Sequence, residues 1–392
     1  MKNSNRLLLS RSINRVGNAM YDYANSSWIT SLGEHAKSYL AIYQFVDYLT
    51  LIIFNPIAGV FADQFKRKKI LLATDLICML LCFCISFITT NQYLVYALIV
   101  TNIILAISSS FARTANKSFI PSVVDTTDRI KYNANLELSL QVISLVSPII
   151  SVYIYSNLGI RWALILNSLS FAVSFFLVQG IEIREEQILL KNKFSILLIF
   201  KNFIEGLVYI KEDRRLFLLL WISSLVNFFL ACYNYLLPFT NVIYNNSNSY
   251  SMFLISGAIG SIIGAIISKN AKGSIKNLNF TVFYSGVSIL AIPVLNFFGF
   301  FWLIFLANTL CTTSITIFNI IFTTQIQTNS PSDMLGRIFS TTYSAASLLM
   351  PLGTFIISSI DGSISNFSFI LIGFGMIVIF IISQYTIILQ RE

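Results

Sequence analysis

The chain has 392 residues, of which 56% are hydrophobic and only 11% charged, with a net charge of +9. A soluble domain carries about 25% charged residues, so this composition excludes a water-soluble globular protein and points to one embedded in a bilayer. The basic residues fall in short clusters between apolar runs, a distribution that excludes a nucleic-acid surface and suits anionic lipid headgroups.

Apolar segments of about 20 residues, the length of a bilayer-crossing helix, can be laid down twelve times. The expected spans are 13–32, 38–62, 70–90, 93–113, 133–157, 161–180, 215–240, 250–269, 278–297, 299–325, 337–360 and 366–388. The first is the least hydrophobic. It carries Asn14, Asn18, Asp22 and Asn25 three to four residues apart, one polar stripe along a helix. The second has Asp47 about ten residues in, with Gln44 beside it.

Between the second and third spans runs GVFADQFKRKK, Gly59 to Lys69. Charges at bilayer depth are costly, so this hinge belongs in water or headgroups. The four adjacent cations Lys66 to Lys69 place it on the cytoplasmic side. Span three holds Cys78, Cys82 and Cys84; with Cys232 and Cys311 they all lie in apolar runs, which predicts reduced core residues and no disulfide frame. Span four offers Asn102, Ser109 and Arg113, the last near its cytoplasmic end. Glu137 opens span five at headgroup level, ahead of Pro148.

The longest polar connection, 181–214, reads as the linker between two six-helix halves, 1–180 and 215–392. Within it Phe194 to Tyr209 is either an amphipathic helix along the cytoplasmic face or a solvated tether. Span seven carries Ser223, Asn227, Asn234 and Asn241, with Tyr233 and Tyr235 beside them; span ten carries Asn308, Thr312, Thr316, Asn319 and Thr323. With both termini in the cytoplasm, every Lys and Arg except Lys37 and Arg161 lies at a cytoplasmic end or loop. The halves repeat weakly. Gly59 and Arg67 match Gly264 and Lys272, Pro148 matches Pro351, and Arg129 matches Arg337, all at nearly the same offset.

The hinge resembles the G-x-x-x-D-x-x-x-R/K-x-R/K loop between helices two and three of the major facilitator superfamily, here Gly59, Asp63, Arg67 and Lys69. Leu335 to Gly353, Leu140 to Ser156, Glu205 to Leu220 and Ala73 to Leu76 are similar to segments of its macrolide-efflux-type members. The resemblance implies a twelve-helix secondary transporter acting as an exporter, with a cytoplasmic gate at the hinge. Asp63 would cap the start of helix eleven there, with Arg67 and Arg337 as ionic neighbours. It also implies a central cavity lined by helices one, four, seven and ten. The sequence departs from the exporter pattern in helix five, where Ile143, Ser147, Ser151 and Val152 stand at the glycine positions around the retained Pro148, and helix four lacks a mid-membrane arginine.

Those four helices are the ones with polar stripes. Asn18, Asn25, Trp28, Gln44, Asn102, Asn227, Tyr233, Asn234, Asn308, Thr312 and Asn319 are therefore the candidate cavity lining, the alternative for each being a hydrogen bond between helices. No Lys or Arg is predicted at the depth of Asp22 or Asp47, so each acid must see water, bind a cation or be protonated part of the time. A carboxyl whose exposure changes can carry a proton, and these two are the candidates for proton or cation binding. The alternative is structural: Asp22 held by neighbouring Asn residues, Asp47 wetted from outside. No nucleophile–base set, phosphate-binding loop or zinc pattern occurs, and His35 is the sole histidine. An enzyme is not expected, nor any cofactor or metal; the proton gradient is the energy source. The expected function is export of lipophilic or cationic small molecules of the macrolide type by proton antiport. Transport of one dedicated metabolite, siderophore or peptide is the alternative, and a non-transporting scaffold or immunity partner is a second. The expected setting is a bacterial-type plasma membrane, and the expected state a monomer.

Overall fold

The computed structural model describes residues 2–125, 129–182, 196–268, 274–329, 335–360 and 362–389. All regular structure among them is helical. Backbone groups in a bilayer have no water to bond, so a spanning chain must satisfy them within each segment, as a helix does. The contacts divide the chain into Met1–Ile199 and Phe200–Glu392.

The first unit holds α1 (Asn3–Thr30), α2 (Ala36–Gln64), α3 (Arg67–Ile85), α4 (Asn91–Val123), α5 (Arg129–Leu158) and α6 (Ile160–Gln179). The helix α7 (Ile196–Glu212) leads into the second, which holds α8 (Arg214–Leu236), the short α9 (Thr240–Ile243), α10 (Ser249–Ser268), α11 (Ile275–Phe297), α12 (Phe301–Asn329), α13 (Leu335–Ser347), α14 (Met350–Ser359) and α15 (Asn366–Leu389). Eight helices, namely α2, α4, α6, α8, α10, α11, α12 and α15, are each long and apolar enough to cross a membrane. The others are the polar-striped α1, α3 with its basic start, α5, and the pair α13–α14. Together they make the twelve-span layout that the hydropathy pattern predicts.

Three helices differ from their expected bounds. The α1 helix begins at Asn3 rather than at 13, and α4 runs on past Arg113 to Val123. Both extensions are amphipathic: Leu7 on α1 and Ala115 and Phe119 on α4 are buried in one cluster with Ile70, Leu71 and Val178, while Lys117 stays exposed. A hydropathy average misses such a face because its charged side cancels its apolar one. The eleventh span is two helices. Pro351 cannot donate a backbone hydrogen bond and its ring clashes with the preceding turn, and the chain bends at Leu348 and Leu349 before α14 starts. Residues 194 and 195 of the expected amphipathic segment lie outside the described residues; the rest of it is helical in α7, with Ile210 buried among Leu216, Leu219 and Phe322.

Lipid tails are as apolar as leucine, so helices in a bilayer associate through close packing and hydrogen bonds rather than through hydrophobic burial. The first unit shows this at Gly17 of α1, where a Cβ would run into Ser170 and Asn167 of α6. The second shows it where Gly260 and Gly264 of α10 sit against backbone carbonyls of Thr309 and Thr313 on α12. Gly264, the repeat partner of Gly59, is thus a packing residue. Four cysteines are buried as expected, but Cys84 is exposed, and all five are free thiols.

Candidate functional site

Asp22 lies eight residues before the end of α1 and Asp47 eleven residues after the start of α2. At 1.5 Å per residue that is about 12 Å and about 16 Å along their helices from the connection that joins them. The two acids therefore sit at similar depth, and they act on each other electrostatically. Asp22 is exposed on the surface of its unit and Asp47 half-buried. Arg15 acts on Asp22, and Arg113 acts on Asp47. Because α4 continues ten residues beyond it, Arg113 is carried inside a helix and not at its end. Neither pairing closes to an ion pair among the described residues.

Tyr43 ties this region together. It is buried, lies in the field of both carboxylates, accepts a hydrogen bond on its hydroxyl from Asn25 Nδ2 (3.3 Å), and accepts another on its backbone carbonyl from Asn102 Nδ2 (3.2 Å). Asn25, Tyr43 and Asn102 thus join α1, α2 and α4. Around them are buried acceptor oxygens with no hydrogen-bond partner among the described residues: Asn25 Oδ1 and Gln44 Oε1. A buried acceptor without a donor costs about 1–3 kcal/mol, so the cluster favours a donor-bearing guest or water. Asn18 is half-buried one turn before Asp22 on α1. Trp28 packs against a buried cluster that includes Tyr21, Leu98 and Leu164.

The second unit treats its polar stripes differently. Asn308 is buried; its Nδ2 donates to Phe253 O (2.7 Å) and Ser256 Oγ (2.6 Å), and its Oδ1 accepts from the Tyr233 hydroxyl (2.6 Å). Thr312 bonds to carbonyls of its own helix and packs against Gly257 and Gly260. Asn227 Nδ2 donates to Ala346 O at 3.1 Å. Asn308, Tyr233 and Asn227 thus hydrogen-bond between helices, the alternative that the sequence left open. Asn234 and Asn319 are exposed.

At the hinge, Arg67 is half-buried with its Nε unpartnered among the described residues, and Lys69 is exposed. The side chains of Gly59, Asp63 and Arg337 lie outside the described residues, so the expected cap on helix eleven does too. Lys68, not singled out in the motif, donates to the carbonyls of Gln179 (2.9 Å) and Ile181 (2.7 Å). It places a cation at the negative end of α6.

One buried carboxylate escaped the sequence reading. Asp75 of α3 is 4% exposed. Its Oδ1 accepts from Asn14 Nδ2 (3.0 Å) and its Oδ2 from the Ser174 hydroxyl (2.6 Å); Ser174 in turn bonds Asn14 (3.0 Å) and Ser10 (2.7 Å), and Arg11 lies within electrostatic range. Three helices, α1, α3 and α6, meet on this one side chain.

The model of the Major Facilitator Superfamily matches residues 7–354. The chain belongs to the major facilitator superfamily. It is 26% identical over 317 residues to macrolide efflux protein A of Enterococcus faecalis, covering 78% of this chain and 96% of that protein. It is also 26% identical over 325 residues to macrolide efflux protein A of Streptococcus pyogenes, covering 80% and 78% respectively. In fold it is similar to the crystal structure of a point mutant of the nucleoside transporter NupG, with a TM-score of 0.79 at 11% identity over 98% of this chain and 99% of that one. A bacterial homologue of the iron transporter ferroportin in its inward-facing state gives a TM-score of 0.73 at 13% identity, covering 98% of both chains. Membership makes the protein an integral membrane transporter of a small-molecule substrate, with two six-helix halves in the fold of the superfamily, and not an enzyme.

Proposed function

We propose that this superfamily member exports lipophilic, cationic small molecules of the macrolide type from the cytoplasm in exchange for protons, by alternating access. The observation that carries this reading is the group formed by Asp22 and Asp47 with the unpartnered oxygens of Asn25 and Gln44. Two carboxylates and two acceptor oxygens match a guest that brings positive charge and hydrogen-bond donors. When no guest is bound, the same carboxylates take up protons. Competition of a cation and a proton for one pair of acids is the simplest form of antiport, since each ligand's departure readies the site for the other. The macrolide efflux relatives support export as the direction.

In this reading the membrane is a bacterial-type plasma membrane, both termini face the cytoplasm, and the gate lies at Gly59, Asp63, Arg67, Lys69 and Arg337. Each proton moving down a potential of 100 mV supplies about 2.3 kcal/mol, so no bound nucleotide is required.

Counterflow in proteoliposomes under an imposed pH gradient tests it. Uptake of a labelled macrolide into inside-out vesicles is expected to follow the gradient and to collapse with a protonophore. In Asp22→Asn and Asp47→Asn the gradient dependence is expected to be lost while downhill exchange persists. Unchanged coupling in both variants would overturn the assignment. Movement of one metabolite only, across a chemically varied panel, would replace drug export with dedicated transport.

A further inference from the structure

We propose that the second unit carries a binding groove for one anionic phospholipid between α8 and α15. The groove has a volume of about 460 Å³. Its wall on α8 is Phe217, Trp221 and Leu225, one turn apart, and its wall on α15 is Ile379 and Ile382. Lys211 and Arg214 stand at one end.

The groove exists because the two helices touch at one level and part below it. At Gly375 the ring of Phe229 occupies the space a Cβ would need, and Tyr233 meets Phe369 edge-on with centroids 5.9 Å apart. Toward Arg214 and Thr386 the groove opens between Phe217, Trp221 and Leu225 on one side and Ile379 and Ile382 on the other, bulky side chains all. Three of these are left open to the bilayer: Phe217 is 40% exposed, Trp221 52% and Ile382 58%.

Charge selects the occupant. The neighbouring acid Asp213 is committed to capping α8, with its Oδ1 accepting from the backbone N–H groups of Arg215 (2.8 Å) and Leu216 (3.0 Å). Lys201 of α7 pairs with Glu205 at 4.0 Å. Lys211 and Arg214 are exposed and join no ion pair among the described residues, with Glu212 the remaining acid beside them. The hydroxyl of Ser383 is turned to Asn279 and that of Thr386 to the carbonyl of Ser383, so the lining hydroxyls donate elsewhere. The two cations are therefore the headgroup contacts. From Arg214 to Leu225 the apolar wall rises about 16 Å, roughly half the hydrocarbon thickness of about 30 Å. An acyl chain reaching from headgroup level to mid-bilayer has that depth. A phosphate with a greasy tail fits both ends; a free anion fits only one, and a zwitterionic lipid brings its own cation to the phosphate.

The test uses the full chain in phosphatidylcholine nanodiscs containing a small mole fraction of phosphatidylglycerol with brominated acyl chains. The Trp221 signal is isolated as the difference between the chain and its Trp221→Phe variant. Brominated phosphatidylglycerol is expected to quench Trp221 at a lower mole fraction than brominated phosphatidylcholine does. Replacing Lys211 or Arg214 by Gln is expected to cut that preference about fivefold each, and the charge-conserving pair Lys211→Arg and Arg214→Lys is expected to keep it. Equal quenching by the two lipids, or a preference untouched in the double Gln variant, would overturn the proposal. So would competition by inorganic phosphate, which would make the site an anion contact only.

Discussion

Asp75 takes one hydrogen bond on each carboxylate oxygen, and neither donor is charged. The acid also accepts from two different helices at once, so its loss is felt across α1, α3 and α6. Ser174→Ala removes the donor to Asp75 and leaves Asn14 and Ser10 short of an acceptor. A buried polar group left unsatisfied costs about 1–3 kcal/mol, and the melting temperature of the detergent-purified protein is expected to fall accordingly. Asp75→Asn turns an amide NH₂ toward Asn14 or Ser174 and is expected to destabilise in the same assay, whereas Asp22→Asn, at an exposed position, is expected to leave the melting temperature unchanged. Equal losses in Asp22→Asn and Asp75→Asn would contradict this separation of a transport acid from a structural one. The same contrast explains what single residues reveal in a sequence. Asp22 and Asp47 stand out as charges in apolar runs. Asp75 does too, but its partners Ser10 and Ser174 are ordinary serines far apart in the chain, and no spacing announces them. Asn308 was legible as part of a stripe, yet a stripe has the same period whether it faces water or another helix; only the Phe253 carbonyl and Ser256 decide between them.

At the scale of elements, apolar length made the helices visible and amphipathic ends made their limits invisible, as at the start of α1 and the end of α4. Helix contacts were less legible still, because a glycine in an apolar run reads alike whether it packs or merely sits in lipid. The α10–α12 contact separates the two cases within one turn. A Cβ on Gly257 would meet Thr312 and Asn308 side-chain atoms at 3.5 and 3.8 Å, ordinary contact distances. On Gly260 it would overlap the backbone carbonyl of Thr309, which cannot rotate away. Gly257→Ala is therefore expected to be neutral, and Gly260→Ala to lower stability by about 1–3 kcal/mol, the usual range for overpacking. Thermal unfolding of the two variants side by side measures the difference; equal melting temperatures would show that α10 can shift along α12 to make room. The break between α13 and α14 belongs to this scale as well. A continuous hydropathy pattern over 337–360 concealed that the chain bends just before Pro351.

For the whole molecule, the two units were foreshadowed by the polar stretch 181–214, the weak internal repeat and the alternation of sides. What no pattern could show is how differently the units use the same stripes. The first leaves two acids and several acceptor oxygens unmatched, while the second turns Asn227, Tyr233 and Asn308 into joints between helices. In the reading proposed above, charge complementarity to a cationic guest therefore comes from the first unit. The proposed cytoplasmic gate holds only if the helices run in the direction that the basic clusters dictate, since the positive loops must face the cytoplasm. Single cysteines replacing Lys37 and Arg161, the two cations expected outside, test that directly. In intact cells both are expected to react with a membrane-impermeant maleimide, above the background set by the parent chain. Cysteines replacing Lys69 and Lys211 are expected to react only once the membrane is opened. Labelling of Lys69→Cys or Lys211→Cys from outside would reverse the orientation. The acids would then still sit at the depth given by α1 and α2, and exchange against protons would still run outward, but the hinge at Lys69 would face outside and the proposed cytoplasmic gate would fall.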